Sequence, residues 1–204
     1  MIFKKIHLLV FILLFVIISC KNNEDNDFKE NVTIEENIPK KPIDNETLNQ
    51  IETFFKNVSK IEIYSYLDRN KWDNNDNKDF RHFTSFKDGK INIKNEYIKE
   101  KIYLDQNQIL KVKEVFKAGS FNDDDLTAMC YDPRHLLVFY NSKNEIIAYI
   151  EICFDCFNFD SSKNVEMFAE FAFNLLPYLK EFGIKYYKDT KQDIEDYYKR
   201  IENE

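Results

Sequence analysis

Residues 136–154 have the sequence LLVFYNSKNEIIAYIEICF, which is the most informative part of the chain for the fold class. Its two arms, LLVFY and IIAYIEICF, mix apolar, aromatic and β-branched residues as central strands do. The polar residues 141–144 between the arms are typical of a turn. The stretch therefore predicts an antiparallel β-hairpin near the centre of a sheet.

Two helices are predicted before the hairpin. Residues 44–58 place apolar side chains at helical spacing behind a cap at Asp44 or Asn45. Asp105, with Gln108 three residues later, forms a capping-box-like start for the second helix. The apolar positions of that helix end before a glycine, which suits a helix terminus.

Further helices are predicted after the hairpin. The sequence from residue 164 is thickly apolar and predicts a helix that Pro177 bends or divides in two. Gly183 followed by Ile184 suits a C-terminal cap with its hydrophobic contact. Residues 190–202 predict a last, charged helix with apolar side chains on one face.

Shorter patterns predict the remaining strands. KIEIYSYL, at 60–67, is rich in β-branched and aromatic residues. A further strand is expected near residues 80–86, and Asp88-Gly89 predicts a turn into KINIK. The order of these elements predicts an α+β domain, in which a small antiparallel sheet with a central hairpin at about 136–154 is packed by several helices.

The first twenty residues combine a positively charged start, an apolar run and a cysteine. Two lysines precede an unbroken apolar run at 8–18, which is the length of a signal-peptide core and shorter than the roughly 20 residues that span a bilayer. IISC, at 17–20, resembles the lipobox of bacterial lipoproteins. The resemblance implies removal of residues 1–19, a diacylglycerol on Cys20, a further acyl chain such as palmitate on the new amino terminus, and durable attachment to a membrane.

Residues 20–43 are polar, acidic and rich in Asn, and they predict a flexible tether because they contain few apolar groups. Residues 44–204 then form a single domain of about 160 residues. The acidic stretch behind Cys20 is similar to the export signals of surface-displayed flavobacterial lipoproteins. Two locations on the outer membrane are therefore predicted as alternatives, the periplasmic face and the cell surface. A net charge of −7 disfavours binding to nucleic acid.

Three cysteines remain once the lipid-bearing one is set aside. Cys130 lies before the hairpin, and Cys153 and Cys156 lie at its end. Because a hairpin brings its two ends together, these cysteines are expected to meet at its open end, close to Arg134 and His135.

The block from Cys130 to Cys156 resembles a pattern of uncharacterised bacterial lipoproteins, many of them flavobacterial. The pattern is CYxPRH, a strand, a hairpin turn and a strand that closes on EICFxC, and it covers 27 of the 204 residues. The resemblance implies no particular activity. It marks one unit, made of Cys130, Pro133, Arg134, His135, Cys153 and Cys156.

Four interpretations of the cysteines are open. A disulfide from Cys130 to Cys153 or Cys156, with the third thiol buried, is the default outside the cytoplasm. A zinc ion held by Cys130, His135, Cys153 and Cys156 would have a normal closed ligand set. The third interpretation is a redox thiol, whose reactivity Asp155 would blunt. The fourth is three reduced cysteines that serve as small buried hydrophobes.

Arg134 and His135 are candidates for ligand binding. A guanidinium beside an imidazole, near Asp132, could bind a carboxylate or a phosphate. In the alternative, Arg134 pairs with a nearby acid and His135 is structural. The sequence favours a non-enzymatic binding or structural module without a cofactor. The alternative function is a metal- or thiol-dependent enzyme built on the three cysteines and His135.

Overall fold

The structure is a computed structural model that describes residues 43–72, 85–119 and 131–201. The predicted signal peptide, Cys20, the tether up to residue 42, residues 80–84 of a predicted strand and Cys130 lie outside the described residues. The predictions made for them are not tested by it.

A five-stranded antiparallel sheet forms the centre of the domain, which confirms the predicted α+β class. In chain order the strands are β1 (Lys60–Tyr66), β2 (Phe86–Lys87), β3 (Lys90–Ile91), β4 (Ile98–Tyr103), β5 (His135–Tyr140), β6 (Ile146–Cys153) and β7 (Asn158–Ser161). The strand order in the sheet is β4-β1-β5-β6-β7, and β2 and β3 form a separate two-stranded hairpin.

The predicted central hairpin is β5 and β6. Its turn is fixed by Asn141, whose Oδ1 accepts hydrogen bonds from the backbone N–H groups of Lys143 and Glu145 at 2.9 and 3.0 Å. Asn144 takes a left-handed conformation with φ of 63°, which asparagine tolerates better than most residues. Residues within the turn thus fix the conformation of the hairpin.

The helices are α1 (Asn45–Lys56), α2 (Gln106–Lys117), α3 (Leu179–Phe182) and α4 (Lys191–Ile201). Asp44 caps α1 by accepting a hydrogen bond from the N–H of Thr47 at 2.8 Å. At α2 the capping box is complete, because Asp105 and Gln108 each accept a bond from the other's backbone N–H. These helix starts confirm the sequence prediction.

The long apolar segment after the sheet differs from the prediction. Glu166–Tyr178 is a 3₁₀ helix and not an α-helix, and α3 follows it directly. Buried residues in this segment recur with a spacing of three, which is compatible with three residues per turn. They are Phe168 with Phe171, and Ala169 with Ala172 and Leu175. Gly183 ends α3 with φ of 104°, as predicted.

The two faces of the sheet are covered differently. Helices α1, α2 and α3 and the 3₁₀ helix pack on one face, where Ile61 and Ile63 of β1 point. Tyr64 and Tyr66 point to the other face, called the outer face here. Trp72, stacked on Tyr97 with ring centroids 4.7 Å apart, belongs to the loops that cover it. The outer face therefore has an aromatic core of its own.

Candidate functional site

His135 begins β5, and only 3% of its surface is exposed. Its Nε2 lies 3.2 Å from the carbonyl oxygen of Tyr186, and its ring packs against Phe154 with centroids 5.3 Å apart. Burial lowers the pKa of His135 to about 4, so the ring is neutral at neutral pH. Since a carbonyl oxygen only accepts, Nε2 carries the proton and attaches the segment around Tyr186 to the sheet.

A disulfide joins Cys153 to Cys156 and closes the turn between β6 and β7. The Cα atoms are 5.3 Å apart, a normal disulfide separation, and both residues are at least 98% buried. The first of the four interpretations placed the bond between Cys130, which lies outside the described residues, and one of these two. The structure instead pairs the two with each other, because the short turn already brings them to bonding distance.

The proposed zinc ligands do not converge within the described residues. His135 pairs with Ile152 across the sheet, so the two side chains share a face. Cys153 follows Ile152, and strand alternation places it on the opposite face. No group of three His, Cys, Asp or Glu side chains in the described parts of the chain is arranged to hold a metal ion.

Arg134 binds carboxylates of the chain itself. Its Nη2 lies 2.8 Å from Asp68 and 3.2 Å from Asp132, and its Nη1 lies 3.2 Å from Asp155. Asp189 approaches Nε at 3.9 Å. These five residues are called the Arg134 cluster below. The guanidinium is thus paired with acids of the chain itself, which agrees with the alternative in which Arg134 pairs with a nearby acid.

The Arg134 cluster connects distant parts of the chain. Asp68 follows β1, Asp132 precedes β5, Asp155 lies in the disulfide-closed turn, and Asp189 precedes α4. Asp189 also accepts hydrogen bonds from the backbone N–H of Asp68 at 3.2 Å and from the hydroxyl of Tyr186. The ends of four separate segments are therefore held together where β1 and β6 end and β5 begins.

A second cluster, called the Glu151 cluster, lies on the outer face of the sheet and is buried there. The carboxylate of Glu151 accepts bonds from the Nη2 of Arg69 at 2.5 Å, from the hydroxyls of Ser85 and Tyr66, and from Tyr131 at 2.8 Å. Arg69 is 1% exposed and Glu151 has no exposed surface. A buried ion pair of this kind is compensated only when its lone pairs and protons are all satisfied.

The Glu151 cluster was not predicted from the sequence. One signal was available, because Glu151 is a carboxylate inside the apolar strand IIAYIEICF, where a charge must find a partner. The identity of that partner was not available, since Arg69 lies 82 residues earlier. Glu62, on the same face of β1, repeats the pattern and binds Lys60 and Lys101 at 3.1 and 3.2 Å.

A cleft of about 330 Å³ lies between β4 and the segment that leads to α4. Its lining is mainly charged, and two of the lining carboxylates are bonded across it. Glu100 accepts hydrogen bonds from the backbone N–H groups of Lys185 and Tyr186, both at 2.9 Å, and Lys99 pairs with Asp193. These bonds attach the C-terminal segment to the edge of the sheet.

No protein-family model, curated protein or solved structure matches this chain. Among the residues that the structure describes, no helix is both long and apolar enough to cross a membrane.

Proposed function

We propose that this chain is a lipid-anchored protein of a bacterial cell envelope whose domain, residues 44–204, is a binding or structural module. The supporting observation is that the candidate catalytic groups are used within the fold. Cys153 is bonded to Cys156, and the Nε2 of His135 is bonded to a backbone carbonyl. A nucleophile or a general base must instead be within reach of a substrate.

The proposed anchor is supported by the sequence. A charged start, a short apolar run and the lipobox-like IISC occur in the order that lipid attachment to Cys20 requires. The resemblance of the 130–156 block to flavobacterial lipoproteins agrees with it. The membrane is then the partner of the amino terminus, at the periplasmic face or at the cell surface of the outer membrane.

Labelling with radioactive palmitate in a bacterial host tests the anchor. We expect label in the wild-type protein and none in Cys20→Ala, because Cys20 is the proposed acceptor. Cys130→Ala is the matched control, since it also removes one thiol, and it should keep the label. Label that persists in Cys20→Ala, or a wild-type chain without label, would contradict the anchor.

Metal content and thiol titration of the full chain, purified in detergent, distinguish a binding or structural module from a metal-dependent enzyme. The chain has four cysteines. With one lipidated and two in a disulfide, we expect a single thiol after denaturation, the loss of that thiol in Cys130→Ser, and no stoichiometric zinc. One zinc per chain, with three thiols after its removal, would favour the metal-dependent enzyme and exclude the disulfide.

A further inference from the structure

Two carboxyl groups of the Arg134 cluster share a single guanidinium nitrogen. The Nη2 of Arg134 contacts the Oδ2 atoms of both Asp68 and Asp132, at 2.8 and 3.2 Å. Two ionised carboxylates on one nitrogen repel each other, and a proton on one of them removes that repulsion. The two side chains are only 10% and 25% exposed, so two adjacent negative charges would be poorly solvated.

The surrounding charges do not balance a second negative charge on this pair. Asp155 bonds to the other terminal nitrogen of Arg134, and Asp189 is paired with Lys71. Tyr186 donates its hydroxyl to Asp189 and carries no charge. Among the described residues of the cluster and its contacts, four ionised carboxylates would face two cations.

We propose that Asp68 and Asp132 form a proton-binding pair, in which the two carboxyl groups on one guanidinium nitrogen hold a single proton in the folded protein. Burial, the hydrogen bond to Asp68 and the charge of Asp68 raise the pKa of Asp132 to about 7. Burial acts to raise the pKa of Asp68 as well. The bonds from Asp132 and from the N–H of Asn70, with the charge of Arg134, outweigh burial and lower it.

The proton is therefore on Asp132, in the segment that precedes β5. Because Asp132 is then uncharged, this segment and the segment after β1 can both bind Arg134. Loss of the proton places two negative charges side by side and weakens both attachments. His135, the next residue after Arg134, is neutral in this pH range and does not add a compensating charge. The pair is thus a pH-sensitive connection between the two segments, beyond any role in binding a partner.

The direction of the stability effect follows from linkage. The folded protein binds this proton more tightly than the unfolded chain does, so the contribution of Asp132 to stability is fully present at low pH. It is lost as the pH rises from the ordinary range of an aspartate through about 7. Asp132→Asn imitates the protonated state. The stability of this variant relative to the wild type should therefore increase over that pH interval and then remain constant.

Carboxyl-carbon NMR of the mature full chain in detergent, labelled on aspartate, measures the proton directly. The Asp132 resonance, assigned by its absence in Asp132→Asn, should titrate near neutral pH. Asp68→Asn should return it towards the usual aspartate range of about 4. Asp155→Asn, which removes another carboxylate from the same Arg134, is the matched control and should leave the midpoint well above that range. An Asp132 that titrates near 4 in the wild type would overturn the proposal.

Thermal unfolding of wild type and Asp132→Asn at a series of pH values is the second measurement. We expect similar Tm values at pH about 4.5 and a Tm about 5 °C higher for the variant at pH about 8. A difference that does not change with pH would show that the substitution acts on packing alone and would overturn the proposal. The comparison cancels the titration of His135, which both proteins share.

Discussion

Glu151 shows how one residue can depend on many others. Its carboxylate has no exposed surface and lies in a central strand. It accepts bonds from Arg69 and from three hydroxyl groups that come from three other segments. In a medium of low polarity each of these donors stabilises the charge, and the charge in turn compensates the buried guanidinium.

Glu151→Gln removes the negative charge that faces the buried guanidinium of Arg69. We expect a loss of about 3–5 kcal/mol in the free energy of unfolding, measured by urea denaturation. Glu145→Gln is the control, because Glu145 is exposed in the hairpin turn, and it should cost less than about 0.5 kcal/mol. The double variant Arg69→Met/Glu151→Gln should lose less free energy of unfolding than the sum of the losses in Arg69→Met and Glu151→Gln. Losses that add strictly would contradict the pairing.

At the scale of elements, α2 depends on how it begins. Asp105 accepts a bond from the N–H of Gln108 at 2.9 Å, and Gln108 accepts one from the N–H of Asp105, also at 2.9 Å. These bonds satisfy two N–H groups that a helix start leaves without partners. The helix then presents Ile109, Val112, Val115 and Phe116 to the core.

Asp105→Ala should lower the free energy of unfolding by about 1 kcal/mol, since alanine cannot accept the N–H bond. Asn107→Ala, an exposed substitution in the same first turn, should have an effect within about 0.5 kcal/mol. Chemical denaturation measures both. Equal losses in the two variants would mean that the first turn, and not the cap, is what matters.

At the scale of the whole molecule, tyrosine hydroxyls hold buried and half-buried acids in place. Tyr64 and Tyr140 donate to Glu62, Tyr66 and Tyr131 to Glu151, Tyr149 to Asp160, and Tyr186 to Asp189. Burial first, and then the adjacent carboxylates, raise the pKa of all six tyrosines. A phenol serves here because it donates a hydrogen bond without the desolvation cost of a second charge.

This arrangement predicts alkaline unfolding. The stabilisation is fully present below the ordinary tyrosine pKa of about 10 and is lost as the pH rises towards the higher folded values. In a spectrophotometric titration, the six tyrosines should ionise only as the circular dichroism of the fold disappears, whereas all twelve should ionise together in urea. Ionisation of all twelve with the fold intact would contradict the network.

The local features of this fold were predictable from the sequence. The central hairpin, the caps at Asp44 and Asp105 and the left-handed Gly183 each depend on neighbouring residues, so a short window contains the whole cause. β4 and β7 were not predicted, because IKEKIY and NFDS lack an apolar strand pattern and become strands only by pairing at the edges of the sheet. The 3₁₀ helix likewise depends on tertiary packing, because its buried residues belong to the core between the sheet and the helices.

For the candidate site, the hairpin pattern alone places Cys153, Cys156, Arg134 and His135 near the open end of one hairpin. The partner that each side chain meets depends on the tertiary contacts. Arg134 meets Asp68, and Glu151 meets Arg69, through contacts across 66 and 82 residues of sequence. The physical reason is that a buried charge or hydrogen-bonding group fixes only the chemistry of its partner, while the packing of distant segments selects which partner it meets.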